Sequence, residues 1–331
     1  MRSSLRSRAA FVAALLLPLA GAITPAHAAS GPVSVLTTTS DLADLCRVVG
    51  GPSVSVQSLC SGPEDPHFLD ARPSFLRLAS RAELLVVTGL DLEVGYLPLL
   101  LRDGSNPRIK PGGPGYLDAS ARIRKLQVPT GGVSRALGDV HAGGNPHYLL
   151  DPANAVIVAD DIAAALAALR PEEGAAFRDR AKAFRAQIQD LLLGPAPPDD
   201  PKGRRSGGLL DRFKPYKGAS IVAYHENVIY LATRLGLEVL GTLEPKPGIP
   251  PTADHLASLA QQAQAAKVKA VVYGVFQPAA QATSFADRIG ARAVLLAHQP
   301  GATPDAPDLL SMYRRNAETL LAALATGAPA R

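Results

Sequence analysis

The sequence has few aromatic residues and lacks the common signatures of hydrolases. Tryptophan is absent, and aromatic residues make up only 5% of the chain. No basic stripe interleaved with aromatic side chains is present, which excludes the usual kind of nucleic-acid-binding surface. Neither an H-E-x-x-H motif nor a G-x-S-x-G motif occurs. The sequence therefore carries no signature of a zinc protease or of a serine hydrolase.

Long apolar runs are also scarce. After the N-terminus, no stretch of about 18 apolar residues suits a membrane span. The N-terminus itself has the parts of a cleaved secretory signal over residues 1–28, namely a positive n-region, an apolar run and an A-x-A site. These parts are Arg2, Arg6 and Arg8, residues 9–20, and Ala26-His27-Ala28. We expect a soluble periplasmic chain that begins at Ala29 and has no lipid anchor, because no cysteine sits at the cleavage point.

The charge and size of the mature chain suit an ordinary globular protein. The formal net charge of +5 includes the three arginines of the signal, which leaves about +2 for the mature chain. A surface of this kind is near neutral and solvated. Roughly 300 residues with a hydrophobic content of 47% are enough for two domains with sizeable cores.

Only two cysteines occur, Cys46 and Cys60. In an oxidising compartment such a pair is expected to form a disulfide. The closed loop of about 15 residues would contribute roughly 3 kcal/mol in the chain-entropy model. Thiolate ligation of a metal is the alternative, and it is disfavoured because a lone cysteine pair in an exported protein seldom stays reduced.

Strand and helix patterns alternate in two halves of the chain. The first half predicts strands 33–38, 54–59 and 84–88 and helices 40–49 and 73–80. Two successive helices follow, at 153–169 and 171–193. The second half predicts strands 220–223, 238–242, 270–273 and 293–296 and helices 228–235, 253–266, 278–289 and 309–325. This order is typical of α/β proteins with parallel sheets.

We therefore predict an α/β fold of two similar lobes, each a mostly parallel sheet flanked by helices, joined by one long helix. The predicted segments are a signal peptide at 1–28, an N-terminal lobe at 29–168, a linking helix at 169–194 and a C-terminal lobe at 195–331.

Four of the seven histidines follow strands or stand beside a proline in a strand-to-loop junction: His67, His147, His225 and His298. In open α/β sheets, ligands bind at the carboxyl ends of the strands. Four imidazoles gathered there would suit Zn²⁺. Their wide spacing predicts a metal site assembled between the two halves. Separate surface histidines are the alternative for each one taken alone.

Other residues are less clearly assigned. His141 either helps to capture metal from a loop or is exposed, and we favour exposure. A metal-bound imidazole usually donates its second N–H to a carboxylate or a carbonyl group. Asp65, Glu226 and Asp151 are candidates for that role, although Asp151 is better explained as a helix cap.

Five segments in order resemble the metal-binding receptors of zinc/manganese ABC uptake systems, the cluster 9 or A-I periplasmic binding proteins. They span nearly the whole mature chain. The segments are Asp65-Pro66-His67 with Pro73-Ser74, residues 82–93, residues 144–152, Tyr224-His225 with Tyr230 and Gly236-Leu237, and residues 244–251.

The resemblance implies two α/β lobes on a long rigid helix, with metal held in the cleft between them. It further implies delivery to a membrane permease that is powered by a cytoplasmic ATPase. Its three family histidines correspond to His67, His147 and His225. The fourth family ligand is usually a carboxylate, and the matching position holds His298. The fourth ligand is therefore open between His298, Asp305, Asp308 and water.

The sequence favours a zinc receptor without catalytic activity, because imidazole ligands favour Zn²⁺ over Mn²⁺. We expect a monomer whose partners are the metal ion and the ABC permease, with a periplasmic metallochaperone as a further candidate. One alternative is an exported zinc hydrolase with three histidine ligands and Glu226 as general base. The other is a Mn²⁺-binding receptor or an adhesin.

Overall fold

The computed structural model describes residues 31–131, 141–197 and 204–325. The predicted signal peptide lies outside these residues. The described chain forms two four-stranded sheets, and every strand pairing in them is parallel. Helices flank both sheets, so the predicted two-lobe α/β fold is confirmed. The exact lobe boundaries stay a prediction.

The first sheet has the strand order β2-β1-β3-β4. Its strands are β1 Val33–Thr37, β2 Val54–Ser58, β3 Leu84–Val87 and β4 Tyr116–Asp118. Its helices are α1 Ser40–Gly50, α2 Pro73–Arg81 and α3 Leu97–Asp103. All four residues of β3 are buried, as expected for an interior parallel strand that is covered on both faces.

Two long helices, α4 Pro152–Leu169 and α5 Gly174–Leu193, stand between the sheets in the sequence and pack against each other. Asp151 caps α4 by accepting a hydrogen bond from the backbone N–H of Ala153 (2.9 Å), and Pro152 takes the first helical turn, where no N–H is needed. By length and composition α4 is apolar enough to cross a membrane, but half of it is buried inside the protein. We interpret α4 as a core helix.

The second sheet has the order β6-β5-β7-β8, which repeats the strand order of the first. Its strands are β5 Ser220–Ala223, β6 Glu238–Thr242, β7 Ala270–Gly274 and β8 Arg292–Leu296. Its helices are α6 Leu209–Phe213, α7 Ile229–Leu235, α8 Ala253–Ala265, α9 Ala279–Ile289 and α10 Leu309–Ala325.

One hydrophobic core is shared by the two halves. It contains residues of both sheets, such as Val35 and Val272, together with Phe177 and Phe184 of α5. A second core covers the outer face of the first sheet and a third covers the outer face of the second. Because the inner faces of both sheets pack into one core, the two halves support each other.

The carboxyl ends of the two sheets lie close to each other. Ser40, just after β1, donates from its backbone N–H to the Gln299 side chain (3.0 Å), just after β8. In each sheet the chain leaves the first strand toward one neighbour and returns to the other, which creates a crevice at the carboxyl ends. The fold therefore opens its two crevices toward a common region.

The predicted disulfide between Cys46 and Cys60 is absent, and both residues are buried free thiols. Cys46 packs in the shared core with Val35, whereas Cys60 packs in the outer core with Leu36. Successive residues of β1 point to opposite faces of the sheet, so the two thiols belong to opposite sides of it. Burial raises the pKa of both thiols, that of Cys60 to about 12, which keeps them protonated at neutral pH.

Candidate metal centre

Three histidines from distant parts of the chain meet between the carboxyl ends of the sheets. One ring nitrogen each of His67, His147 and His225 lies within 4.8 Å of the other two. The ring centroids are 5.1 Å apart for His67 and His147, 5.4 Å for His67 and His225, and 5.6 Å for His147 and His225. We call these three residues the histidine triad. Successive members of the triad are about 80 residues apart in the sequence, and the fold brings them together.

His67 is held by its own loop. The Asp65 carboxylate accepts two hydrogen bonds from His67, one from the backbone N–H (3.0 Å) and one from Nδ1 of the ring (2.8 Å). Burial acts to raise the pKa of Asp65, but the hydrogen bonds and the electrostatic attraction of His67 outweigh it and lower that pKa. An ionised carboxylate on Nδ1 leaves Nε2 as the lone-pair nitrogen.

His225 is held in the same way by a carboxylate from the neighbouring strand. Its Nδ1 lies 2.7 Å from Glu244, and both side chains are largely buried. In the parallel register Ala223 of β5 is paired with Thr242 of β6. His225 and Glu244 each follow two residues later, so the register itself brings them together.

His147 stands on a short turn after Pro146. Its backbone N–H donates to the Asn145 side chain (2.9 Å), which fixes the entry to the following 3-10 turn Tyr148–Leu150. The imidazole is buried, and burial, followed by the neighbouring histidines, holds its pKa well below the usual value. His147 is therefore neutral at pH 7, which is the form that binds metal.

The triad contains ring nitrogens without partners. Nε2 of His67 and Nε2 of His147 are buried and make no hydrogen bond. A buried polar atom without a partner is costly, and two such ring nitrogens side by side indicate a place for a water molecule or an ion. Neutral imidazole nitrogens at this spacing fit a zinc-sized transition-metal ion.

His298 is not brought into the triad. Its ring packs against Phe276, with centroids 5.4 Å apart, and lies over Gly274, where an added Cβ would be 2.5 Å from Nδ1. Leu296 of β8 is paired with Gly274 of β7, and His298 and Phe276 each follow two residues later. Both of its ring nitrogens are buried and unpartnered, and burial lowers its pKa to about 4.

The other two predicted candidates for the fourth ligand have partners elsewhere. Asp305 pairs with Arg315 (3.1 Å), and Asp308 accepts hydrogen bonds from the backbone (2.8 Å) and hydroxyl (3.0 Å) of Ser311 in the first turn of α10. The structure therefore leaves both carboxylates outside the triad.

His141 lies beside the triad, contrary to the expectation that it is exposed. Its ring centroid is 5.4 Å from that of His67, and its Nε2 is buried without a partner. Burial lowers its pKa to about 4. No helix or strand periodicity predicts this position, because His141 follows a Gly-rich stretch without either pattern.

Of the three predicted orienting carboxylates, Asp65 has that role in the structure. Asp151 instead caps α4 and forms a bidentate pair with Arg234, with both distances 2.8 Å. Glu226 borders a small cavity with His141 and His147, and its backbone carbonyl accepts a bond from Asn145. Glu244 was missed, although the parallel register of the predicted strands would have pointed to it.

A cleft of about 460 Å³ opens beside the triad. Its walls include Asp65, Phe68, Tyr224, Glu244, Phe276 and Gln277. The cleft gives solvent a path to the His67 and His225 side of the site. Such an opening suits an ion that enters and leaves.

A family model for the zinc-uptake complex component A, periplasmic (ZnuA), matches residues 35–192 and 209–323. The chain belongs to this family. Its named relatives are substrate-binding components of metal transport systems. The matched region includes every residue of the triad.

Curated relatives bind different metals by name. The manganese ABC transporter substrate-binding lipoprotein PsaA of Streptococcus pneumoniae is 27% identical over 51% of this chain and 52% of its own. The iron ABC transporter substrate-binding lipoprotein MtsA of Streptococcus pyogenes serotype M1 is 24% identical over 55% of this chain and 56% of its own. The chain thus spans about half the length of these relatives. The manganese-binding lipoprotein MntA of Bacillus subtilis is 24% identical over 73% of this chain and 70% of its own.

Solved structures share the fold. A crystal structure of ZnuA is 22% identical with a TM-score of 0.68, and the match covers 88% of this chain and 99% of that one. A Cd-bound periplasmic metal-binding protein from Candidatus Liberibacter asiaticus is 20% identical with a TM-score of 0.69, over 88% and 98%. At this level of identity the likeness establishes the two-lobe fold.

Proposed function

We propose that this protein is an extracytoplasmic binding protein that captures Zn²⁺ and delivers it to an ABC-type permease with a cytoplasmic ATPase. The histidine triad carries the proposal, because it is the chemical feature that the two lobes jointly build. Membership of the ZnuA family supports the transport role. The export signal, the monomeric state and a metallochaperone partner stay predictions.

Zinc is the metal that the donor set favours. The triad offers imidazole nitrogens, and two of its rings are oriented by carboxylates on the opposite nitrogen. Mn²⁺ prefers oxygen ligands, and it stands below Zn²⁺ in the stability order for nitrogen sites. The relatives named for manganese and iron leave the ion open at the level of the family, so the choice of zinc rests on the residues of this chain.

We infer no catalytic role. The hydrolase alternative needs Glu226 to act as a base on a metal-bound water. In the structure the paired carboxylates of the site are Asp65 and Glu244, each bound to the nitrogen of a triad histidine. A capture site explains both pairs without a reaction.

Equilibrium dialysis of the purified chain with metal analysis tests the proposal. We expect one Zn²⁺ per chain and preference for Zn²⁺ over Mn²⁺. His67→Ala, His147→Ala and His225→Ala should each weaken zinc binding by about 100-fold or more, since loss even of an outer-shell partner costs about 10–100-fold. His255→Ala on α8 is the matched control, because that ring donates to the Thr242 carbonyl instead (2.8 Å). Unchanged binding in all three triad variants would overturn the proposal.

A further inference from the structure

We propose that His141 supplies the fourth imidazole of the metal site and that His298 stays outside the coordination shell. This inference rests on the proposed metal-capture function and deepens it. It gives the role of a metal ligand to a residue that shortly precedes His147 in the sequence.

His141 lies next to His67 of the triad and lines a small cavity with His147 and His225. Its ring centroid is 5.4 Å from that of His67, a separation within the 5.1–5.6 Å found between the triad rings. Its Nε2 is buried without a partner, as are Nε2 of His67 and Nε2 of His147. Three buried and unsatisfied Nε2 atoms in one place indicate a shared ligand rather than three separate defects.

The His141 imidazole lies beside the backbone of Leu90 and Asp91. That backbone acts to raise the pKa of His141, although burial and the neighbouring histidines outweigh it and lower the pKa. The carboxylates of Asp65 and Glu244 orient His67 and His225, whereas the surroundings of His141 are backbone.

The backbone that receives His141 is strained. Gly89, Leu90 and Asp91 follow β3 with φ of 76°, 55° and 62°, so three successive residues are left-handed and two of them are not glycine. Strained residues of this kind cluster at active sites and ligand clamps. This strain is independent of the ring positions and falls at residues next to the His141 imidazole.

A tight turn fixes His141 relative to His147. The backbone N–H of Gly144 donates to the His141 carbonyl (3.2 Å), and Gly144 has a φ of 108° that favours glycine. An added Cβ on Gly143 would be 2.9 Å from the Leu90 side chain, so the turn packs directly on the strained segment. His141 and His147 therefore enter the site on one short, braced segment.

His298 borders a small cavity that it shares with one triad residue. The cavity has a volume of about 30 Å³, and its walls include His147, Asp41 and Thr39 but not His67, His141 or His225. That volume holds about one water molecule. With its ring on Phe276 and over Gly274, His298 would have to leave this packing to reach the triad.

Four imidazoles would close the coordination sphere. Zinc sites with four protein ligands are closed, whereas catalytic sites keep a position for water. A His₄ set thus gives a receptor that holds zinc without activating water. It also removes the carboxylate that Mn²⁺ would prefer.

The test uses the full mature chain with Co²⁺ as a spectroscopic stand-in for zinc, and zinc competition against a chelator. His141→Ala is compared with His298→Ala, and His67→Ala serves as the reference for a lost ligand. We expect His141→Ala to weaken zinc binding by about 100-fold and to alter the visible Co²⁺ bands. His298→Ala should keep the Co²⁺ spectrum and an affinity within about 3-fold of the wild type. Circular dichroism of the metal-free variants checks that each one folds.

The outcomes separate this inference from the proposed function. If His67→Ala loses zinc while His141→Ala binds as the wild type does, the metal site stands and the assignment of His141 is overturned. Loss of the Co²⁺ bands in His298→Ala alone would assign the fourth position to His298. If the wild-type chain takes up neither Zn²⁺ nor Co²⁺, the proposed function fails together with the inference.

Discussion

At the scale of single residues, the site depends on pairs made across parallel strands. Two residues after the paired positions Ala223 and Thr242, the chain places His225 against Glu244. The same offset after Leu296 and Gly274 places His298 against Phe276. The same strand register therefore places a carboxylate next to His225 and an apolar ring next to His298. Only the first arrangement orients an imidazole toward a metal.

Glu244→Ala should weaken zinc binding by about 10–100-fold, because Nδ1 of His225 loses the carboxylate that fixes its tautomer. Glu244→Gln should lose less zinc affinity than Glu244→Ala, since the amide oxygen still accepts a hydrogen bond from Nδ1 of His225. Chelator competition measures both. Glu238→Ala is the matched control, since Glu238 is exposed at the start of β6, the strand that leads to Glu244. Equal affinities for Glu244→Ala and Glu238→Ala would contradict an orienting role.

Glu93 should give the stability a pH dependence. It is buried and accepts hydrogen bonds from Thr38 Oγ1 (2.6 Å) and the backbone N–H of Thr88 (2.6 Å), yet burial outweighs these bonds and raises its pKa from 4.5 to about 7. Between pH 4.5 and about 7, Glu93 therefore keeps its proton in the folded chain but has lost it in the unfolded chain. This contribution is fully present below pH 4.5 and is lost as pH rises through about 7, a change of about 3 kcal/mol.

Urea unfolding between pH 4.5 and 8 checks this prediction. The difference in free energy of unfolding between the wild type and Glu93→Gln should change by about 3 kcal/mol across that range. Asp41 also has a raised pKa, but it is present in both proteins and cancels in the difference. Glu172→Gln, at an exposed glutamate before α5, is the control. A constant difference over the whole range would rule out the proton held by Glu93.

At the scale of elements, much of the fold could be predicted from the spacing of hydrophobic residues and from residues that cap helices. The predicted strands 220–223 and 238–242 and the helix 309–325 have the observed bounds. The prediction missed α3, β4 and α6. These are short elements of three to seven residues, in which a period of 2 or 3.6 cannot be recognised.

The candidate site was only partly predictable for a different physical reason. His67, His147 and His225 follow elements whose patterns are strong, so their meeting point follows from the topology of parallel sheets. The position of His141 depends on a non-periodic turn and on the left-handed Leu90 and Asp91. No local pattern marks non-glycine residues as left-handed, since that conformation is imposed by the surrounding structure.

The helix α5 should contribute to stability through its buried face. Its buried residues recur at helical spacing and include Phe184, which is 1% exposed in the shared core. Phe184→Ala should reduce the free energy of unfolding by about 3–5 kcal/mol, because a cavity is left in a well-packed core. Phe68→Ala is the control, since that ring is 69% exposed and its loss should cost within about 0.5 kcal/mol. Urea unfolding measures both, and similar losses would argue against a shared core.

At the scale of the whole molecule, polar contacts join the two halves around the site. Tyr230 of α7 donates to the Asn145 carbonyl (3.0 Å), and its oxygen accepts from the backbone N–H of Leu126 (2.9 Å). Tyr313 of α10 donates to the Leu149 carbonyl (2.7 Å). These bonds brace the segment that carries His147 with side chains of the other half. The geometry of the triad is therefore a property of the assembled protein.

The ion pair between Arg234 and Asp151 links the two halves and should contribute more to stability than an exposed ion pair. Asp151 has only 7% of its side chain exposed, so removal of its partner leaves a buried carboxylate with one helix-capping bond. Arg234→Met should lower the free energy of unfolding by about 1–2 kcal/mol, a value reduced because Arg234 is 37% exposed. Arg212→Met breaks an equally bidentate pair with Glu318 on the surface and should cost less than about 1 kcal/mol. Urea unfolding compares the two, and an equal loss would mean that burial of Asp151 does not strengthen the link.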